Sequence, residues 1–249
     1  MTDPMPRSAA TDAFPAHGLI ADGMRLRYRT WRSVDTTRNA RLPVLLFLHG
    51  SGERGSDNHA QVVVGLGPAL IRRPPDWPLL AVFPQLPEGA SWREDHAAAA
   101  MRVLEDACAR TGGDASRVAL TGLSRGGYGA WNLATRWPHR FKALVAVCGG
   151  ITRPTPGSDL GVDVHETAGD AFEQTASRLA HLPCWLVHGA RDAVIPVSQS
   201  RRMALALASA GAAVHYRELP DAGHDVWDPA YNDNALWDWL RARLEGPSS

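Results

Sequence analysis

The pentapeptide Gly122-Leu123-Ser124-Arg125-Gly126 has the form G-x-S-x-G and lies between an apolar run and a helix-forming run. That context gives the pattern chemical meaning. A serine at a very tight strand-to-helix turn projects its hydroxyl clear of the chain. Small residues two before and two after it let neighbouring backbone pass. The helix that follows turns its first N–H groups toward the reacting centre. Ser124 is therefore expected to be the nucleophile of an acyl transfer.

A serine hydroxyl needs a base to take its proton, and the base needs an orienting carboxylate. On strand-turn-helix scaffolds of this kind the chain order is Ser, then Asp or Glu, then His. Of ten histidines, His17, His49, His59 and His96 precede Ser124, and His139, His165 and His181 precede the best acid. His188 and His215 fall inside apolar, strand-like runs. His224 is left, in Pro220-Asp221-Ala222-Gly223-His224-Asp225, with a glycine that lets the loop bend the ring over the nucleophile. The expected acid is Asp192, in His188-Gly189-Ala190-Arg191-Asp192, just past the end of a strand. Asp163, Glu166 and Asp170 compete from an irregular stretch. Asp221 and Asp225 are too close in sequence to His224 to reach its far ring nitrogen without strain.

Acyl transfer also builds a negative oxygen that needs two preorganised donors. The backbone N–H of Arg125 is one candidate. The other is the N–H of Ser51, in His49-Gly50-Ser51-Gly52-Glu53-Arg54-Gly55, where glycines allow the backbone to turn inward. Trp92 lies in a loop past the strand end at Phe83 and Trp227 three residues after the proposed base, and both are candidate pocket walls, with plain packing as the alternative. Trp131, Trp137 and Trp237 have the spacing of core residues.

The elements that must position these groups follow from the apolar pattern. Continuous apolar runs at Pro43–Leu48, Leu79–Phe83, Arg117–Leu123, Phe141–Val147 and Pro183–His188 read as strands buried on both faces, and Val214–Leu219 as a sixth. Residues 24–31 alternate apolar and basic side chains, as an edge strand does. Helical stretches at 97–110, 127–137, 198–210 and 233–244 lie between or after them. This alternation implies α/β architecture with a mostly parallel central sheet and helices on both faces. Residues 1–17 read as a loose leader and 18–249 as one domain. Residues 149–181, with Pro154 and Pro156, fit the rhythm poorly and read as a small lid above the strand ends.

Bulk properties narrow the function. Lys plus Arg equals Asp plus Glu at 26 each, so no net field draws in nucleic acid or an anionic membrane. No run approaches the ~20 apolar residues of a membrane span, and the N-terminus lacks the apolar core of a secretory signal. Cys108, Cys148 and Cys184 form no CxxC pair and read as buried, reduced thiols. A cytoplasmic protein is the expectation. Neither metal-ligand spacing nor a phosphate loop is present, so no metal and no cofactor are expected beyond water.

The runs PVLLFLHGSGERGSDN, RVALTGLSRGGYGAW, PCWLVHGARDAVIPVS and ELPDAGHDVWDPAYND together resemble the α/β-hydrolase superfamily. The resemblance is to an esterase and peptidase group similar to poly(3-hydroxybutyrate) depolymerases, feruloyl esterases and the prolyl-oligopeptidase catalytic domain. It covers residues 42–244. It implies the α/β-hydrolase fold, triad positions for Ser124, Asp192 and His224, and oxyanion positions for Ser51 and Arg125. It also places Glu53, Arg54 and Trp92 near the mouth. Arg125 stands where many relatives carry Met, and its cation would either steer an anionic substrate or point to solvent. The implied activity is a serine carboxylesterase on small-molecule esters, aryl, feruloyl or acetyl. A serine peptidase is the alternative, against which the stretch ahead of Pro43 is too short for a gating domain. A non-catalytic binding module is the third, against which all three triad members are present in order.

Overall fold

The computed structural model describes residues 13–33, 41–163 and 169–245. Eight strands form one sheet in the order β1-β2-β4-β3-β5-β6-β7-β8. They are β1 (Ala16–Ala21), β2 (Met24–Arg32), β3 (Leu42–Leu48), β4 (Leu80–Gln85), β5 (Gly113–Leu123), β6 (Ala143–Val147), β7 (Cys184–Gly189) and β8 (Val214–Leu219). The pairs β1–β2 and β2–β4 are antiparallel, and the other pairs are parallel. The helices are α1 (Leu66–Arg72), α2 (Glu94–Thr111), α3 (Arg125–Arg136), α4 (Ala171–Leu179), α5 (Ser198–Ser209), α6 (Trp227–Tyr231) and α7 (Asn234–Leu244). This is the expected α/β-hydrolase fold.

Burial explains why the central strands are apolar throughout. Every residue of β3, β4, β6 and β7 is buried, whereas β1 and β8 alternate as strands at the two rims do. Side chains of β3 divide between two cores. Val44, Leu46 and Leu48 pack with α2 and α3, while Leu45 and Phe47 pack with α1 and α7. Among the core tryptophans, Trp131 and Trp237 are buried and Trp137 is half-buried against the first core. No helix among the described residues is long and apolar enough to cross a membrane.

Three expectations need correction. Residues 24–31 do form a strand, but β2 is not at the edge. Asp22 and Gly23 both take positive φ, 50° and 76°, and the two-residue turn they make folds β1 back outside β2. The loose leader does not extend to residue 17. Phe14 is fully buried edge-on to Phe83, and Ala16 and His17 open β1, so only the leader residues 1–12 fall outside the described part. Nor does the irregular insertion extend to residue 181. Asp170 caps α4 by accepting from Phe172 N–H (2.9 Å) and Glu173 N–H (3.2 Å), and Phe172, Ala176 and Leu179 join the first core. That helix belongs to the layer covering the sheet. What lies above the strand ends is the stretch 149–163.

Candidate active site

Ser124 stands between β5 and α3 with φ 52° and ψ −118°, a backbone region L-residues rarely occupy. The flanking glycines show why the turn can be this tight. A Cβ on Gly122 would lie 2.0 Å from Gly126 O, and one on Gly126 would lie 1.8 Å from Leu48 O. The turn is pinned by Ser124 N–H donating to Val147 O (2.9 Å), while Ser124 O accepts from Gly127 and Tyr128.

The loops after β7 and β8 carry Asp192 and His224, and their backbones interlock. Ala190 N–H donates to Leu219 O and Arg191 N–H to Ala222 O, both at 2.9 Å. A Cβ on Gly189 would lie 2.0 Å from Gly223 O, so only glycine permits the crossing. The consequence is a hydrogen-bonded chain. His224 Nε2 lies 2.9 Å from Ser124 Oγ, and His224 Nδ1 lies 2.7 Å from Asp192 Oδ2. A carboxylate only accepts, so Nδ1 carries the proton and Nε2 presents its lone pair to the serine. Asp192 reaches this ring. Asp163 pairs with Arg93, Asp221 with Arg191, and Asp170 caps α4, while Glu166 lies outside the described residues.

Around Asp192 the environment is richer than three residues. Its side chain has no exposed surface. Burial alone would raise its pKa. Hydrogen bonds from His188, His224 and the Ile195 and Val194 N–H groups outweigh burial and hold the carboxyl well below its ordinary range. His188, fully buried, places Nε2 3.1 Å from Asp192 Oδ2 and 2.9 Å from Ile195 O, with Nδ1 2.7 Å from Ser200 Oγ. Its Nε2 faces two acceptors and so carries a proton. Setting His188 aside because it lies in a strand run overlooks this. The available signal is its position as the penultimate residue of β7, four before the acid.

The loop after β3 is held just as specifically. Leu86 N–H donates to His49 Nε2 (3.0 Å), leaving Nδ1–H to donate to Gly50 O (2.7 Å). Burial depresses His49 to about 4, so the ring is neutral and keeps this tautomer. In a trans peptide C=O and N–H point oppositely, so the Ser51 N–H is directed away from His49. The loop passes against the nucleophile, since a Cβ on Gly50 would lie 3.6 Å from Ser124 Cβ. Arg125, as the first residue of α3, has no intrahelical acceptor for its own N–H.

The residues expected at the mouth divide. Trp227 is half-buried and stands edge-on to His224 at 5.9 Å. Arg54 lies on the loop, its Nε donating to Ser51 O (3.0 Å). Trp92 is only 2% exposed, its indole N–H donates to His49 O (3.0 Å), and it packs on Gly129, so it supports the loop from behind and does not line the mouth. Glu53 turns inward. Its side chain is 13% exposed, Oε2 lies 4.0 Å from His49 Nδ1 without a hydrogen-bond partner, and burial raises its pKa. The Arg125 side chain neither reaches solvent nor stands free. It is 7% exposed and forks onto Asp159. The three cysteines are free and buried.

The sequence profile of the prolyl oligopeptidase family matches residues 90–246, well over half of the chain. The chain belongs to that family. Among curated proteins it is similar to an uncharacterized secreted protein of Arthroderma benhamiae, 24% identical over 260 residues. The match covers 96% of this chain but 27% of that protein, so the chain spans about a quarter of its relative. Among solved structures, a thermostable esterase superposes with TM-score 0.76 at 28% identity, covering 92% of this chain and 62% of that one. A ferulic acid esterase superposes with TM-score 0.68 at 19% identity, covering 93% and 97%, a likeness of fold.

Proposed function

We propose that this family member is a carboxylic-ester hydrolase that works through an acyl-enzyme on small or aryl esters. One observation carries the reading: the continuous hydrogen-bonded path from Ser124 Oγ through His224 to Asp192, at 2.9 and 2.7 Å. Ser124 Oγ attacks the ester carbonyl as His224 Nε2 takes its proton. The C–O π pair moves onto oxygen, which accepts from the Ser51 and Arg125 N–H groups. Collapse expels the alcohol, which receives the proton from His224 and leaves the acyl group on Ser124. Water, deprotonated by the same Nε2, then attacks the acyl carbon and releases the acid. Asp192 stays ionised throughout, holding the Nδ1–H tautomer and balancing the imidazolium.

The esterase names among the structural relatives support an ester substrate, and Trp227 beside His224 supports an aryl or acyl contact. Family membership favours a second reading, cleavage of a peptide amide by the same groups. Turnover of p-nitrophenyl acetate and butyrate beside a panel of peptide anilides tests both. Esters are expected to react, and Ser124→Ala to lower kcat by about 10⁴-fold or more. Full turnover by that variant would end the proposal. Turnover of anilides in place of esters would select the second reading.

A further inference from the structure

Arg125 directly follows the nucleophile, yet its charge is already spoken for. Its Nη1 and Nη2 donate to Asp159 Oδ2 (2.5 Å) and Oδ1 (3.0 Å), and its Nε donates to Ser51 Oγ (2.9 Å). The guanidinium is thus bonded to the loop that passes Ser124 and supplies the proposed oxyanion donor. The two partners differ sharply in exposure. The arginine is 7% exposed and the aspartate 54%. The cation is largely enclosed, while its counter-ion is an accessible side chain on the irregular stretch 149–163.

A guanidinium fork fits any carboxylate in the two-pronged geometry seen here. A buried cation without a counter-ion is costly, so the fork favours a carboxylate occupant. The fork therefore has two possible occupants, the protein's own carboxylate or one carried by a substrate. Asp159 is kept ionised by its hydrogen bonds from Arg125, with Arg54 adding a weaker pull. Arg93 cannot take over as the counter-charge of Asp159, because it is bonded to Asp163 (Nε–Oδ1 2.8 Å).

We propose that the Arg125–Asp159 pair determines charge selectivity: Asp159 occupies the fork that an anionic group near the scissile bond would otherwise take, so the site accepts esters uncharged at that point. The proposal rests on the hydrolase reading above and narrows its substrate class. It also predicts a latent preference. Removing the internal carboxylate opens a cationic subsite suited to half-esters of dicarboxylic acids.

The test uses two substrates with the same leaving group and acyl length, p-nitrophenyl butyrate and mono-p-nitrophenyl succinate, which differ in a terminal carboxylate. The full chain is expected to prefer the butyrate. In Asp159→Asn, which keeps the shape of the half-exposed side chain, the kcat/KM ratio should move toward the succinate by about tenfold, the worth of one charge-assisted hydrogen bond. Asp159→Ala should move it the same way, and Asp159→Asn with Arg125→Gln should return it to the starting value. An unmoved ratio in both single variants, or equal loss on both esters, overturns the proposal. If the unaltered protein turns over neither ester and Ser124 takes no fluorophosphonate label, the hydrolase reading itself falls.

Discussion

Two sides of the same sheet edge hold carboxylates in opposite ways. After β7 and β8, Asp192 is enclosed completely and receives donors from two imidazoles and two backbone N–H groups. After β3, Glu53 is nearly as enclosed, but one oxygen has no partner. Burial acts on both alike, raising the pKa. The donors reverse the outcome for Asp192 and leave it standing for Glu53. Enclosure therefore does not decide the protonation of a carboxylate here; the donors around it do. The base-and-acid side is fixed by backbone crossing at Gly189 and Gly223. The side proposed to bear the oxyanion donors leans on side chains, His49 and the Arg125–Asp159 pair.

The contrast predicts effects of graded size. Asp192→Asn should be the most damaging to turnover, lowering kcat by about 10⁴-fold through loss of the correct His224 tautomer. A deficit below tenfold in ester assays would mean Asp192 does not orient the ring. The same variant should be less stable at neutral pH. Because the folded pKa of Asp192 lies below its ordinary 3.8, its stabilisation is present above that value and fades as pH falls further. Urea unfolding should therefore show the gap between the two proteins closing below about pH 4.

His188→Ala removes one donor and should lower kcat by about tenfold. It should also shrink the acid-dependent loss of stability and end that loss at a higher pH, because Asp192 is then held less tightly and its folded pKa moves back toward 3.8. His188→Gln, which can still donate, should recover part of both effects. An acid limb that does not move would confine His188 to packing. The smallest effect, of opposite sign, belongs to the other side. Glu53→Gln should stabilise the protein by about 1 kcal/mol at neutral pH, a rise in Tm of about 2–4 °C for a chain of this size. The folded pKa of Glu53 is raised above 4.5, so its cost appears only above that pH, and the gain should vanish below it. A fall in Tm at pH 7 would show that Glu53 is satisfied by a group the contrast leaves out.

The convergence of Ser124, Asp192 and His224 was legible in sequence because each lies just past a strand in the order Ser, Asp, His, and Gly122 and Gly126 bracket the serine in a turn too tight for any side chain. Central strands were legible for a similar reason, since burial on both faces leaves an unbroken apolar run. Other parts depend on contacts that spacing does not encode. Strand β1 alternates weakly, and its best mark is the Asp22-Gly23 turn, a local signal that hydrophobic periodicity passes over. Helix α4 follows a stretch broken by Pro154 and Pro156, and in sequence that irregularity hides the helical spacing of Phe172, Ala176 and Leu179. The inward turn of Glu53 and the pairing of Arg125 with Asp159, 34 residues apart, are set by how loops lie across the finished sheet. Trp92 lies in a loop past the end of β4 yet serves as a prop, because Gly129 leaves room for its ring inside.

Gly127 and Gly149 touch where helix α3 passes the end of β6, with a Cβ on Gly149 falling 2.8 Å from Gly127 Cα. The root of the irregular stretch is thereby welded to the nucleophile's own helix, and Ile151 anchors it again in the first core. A designer could exchange 153–158 as a cassette, changing the length and charge of that stretch while keeping the core contact of Ile151, the bonds of Thr152 and the Arg125–Asp159 pair.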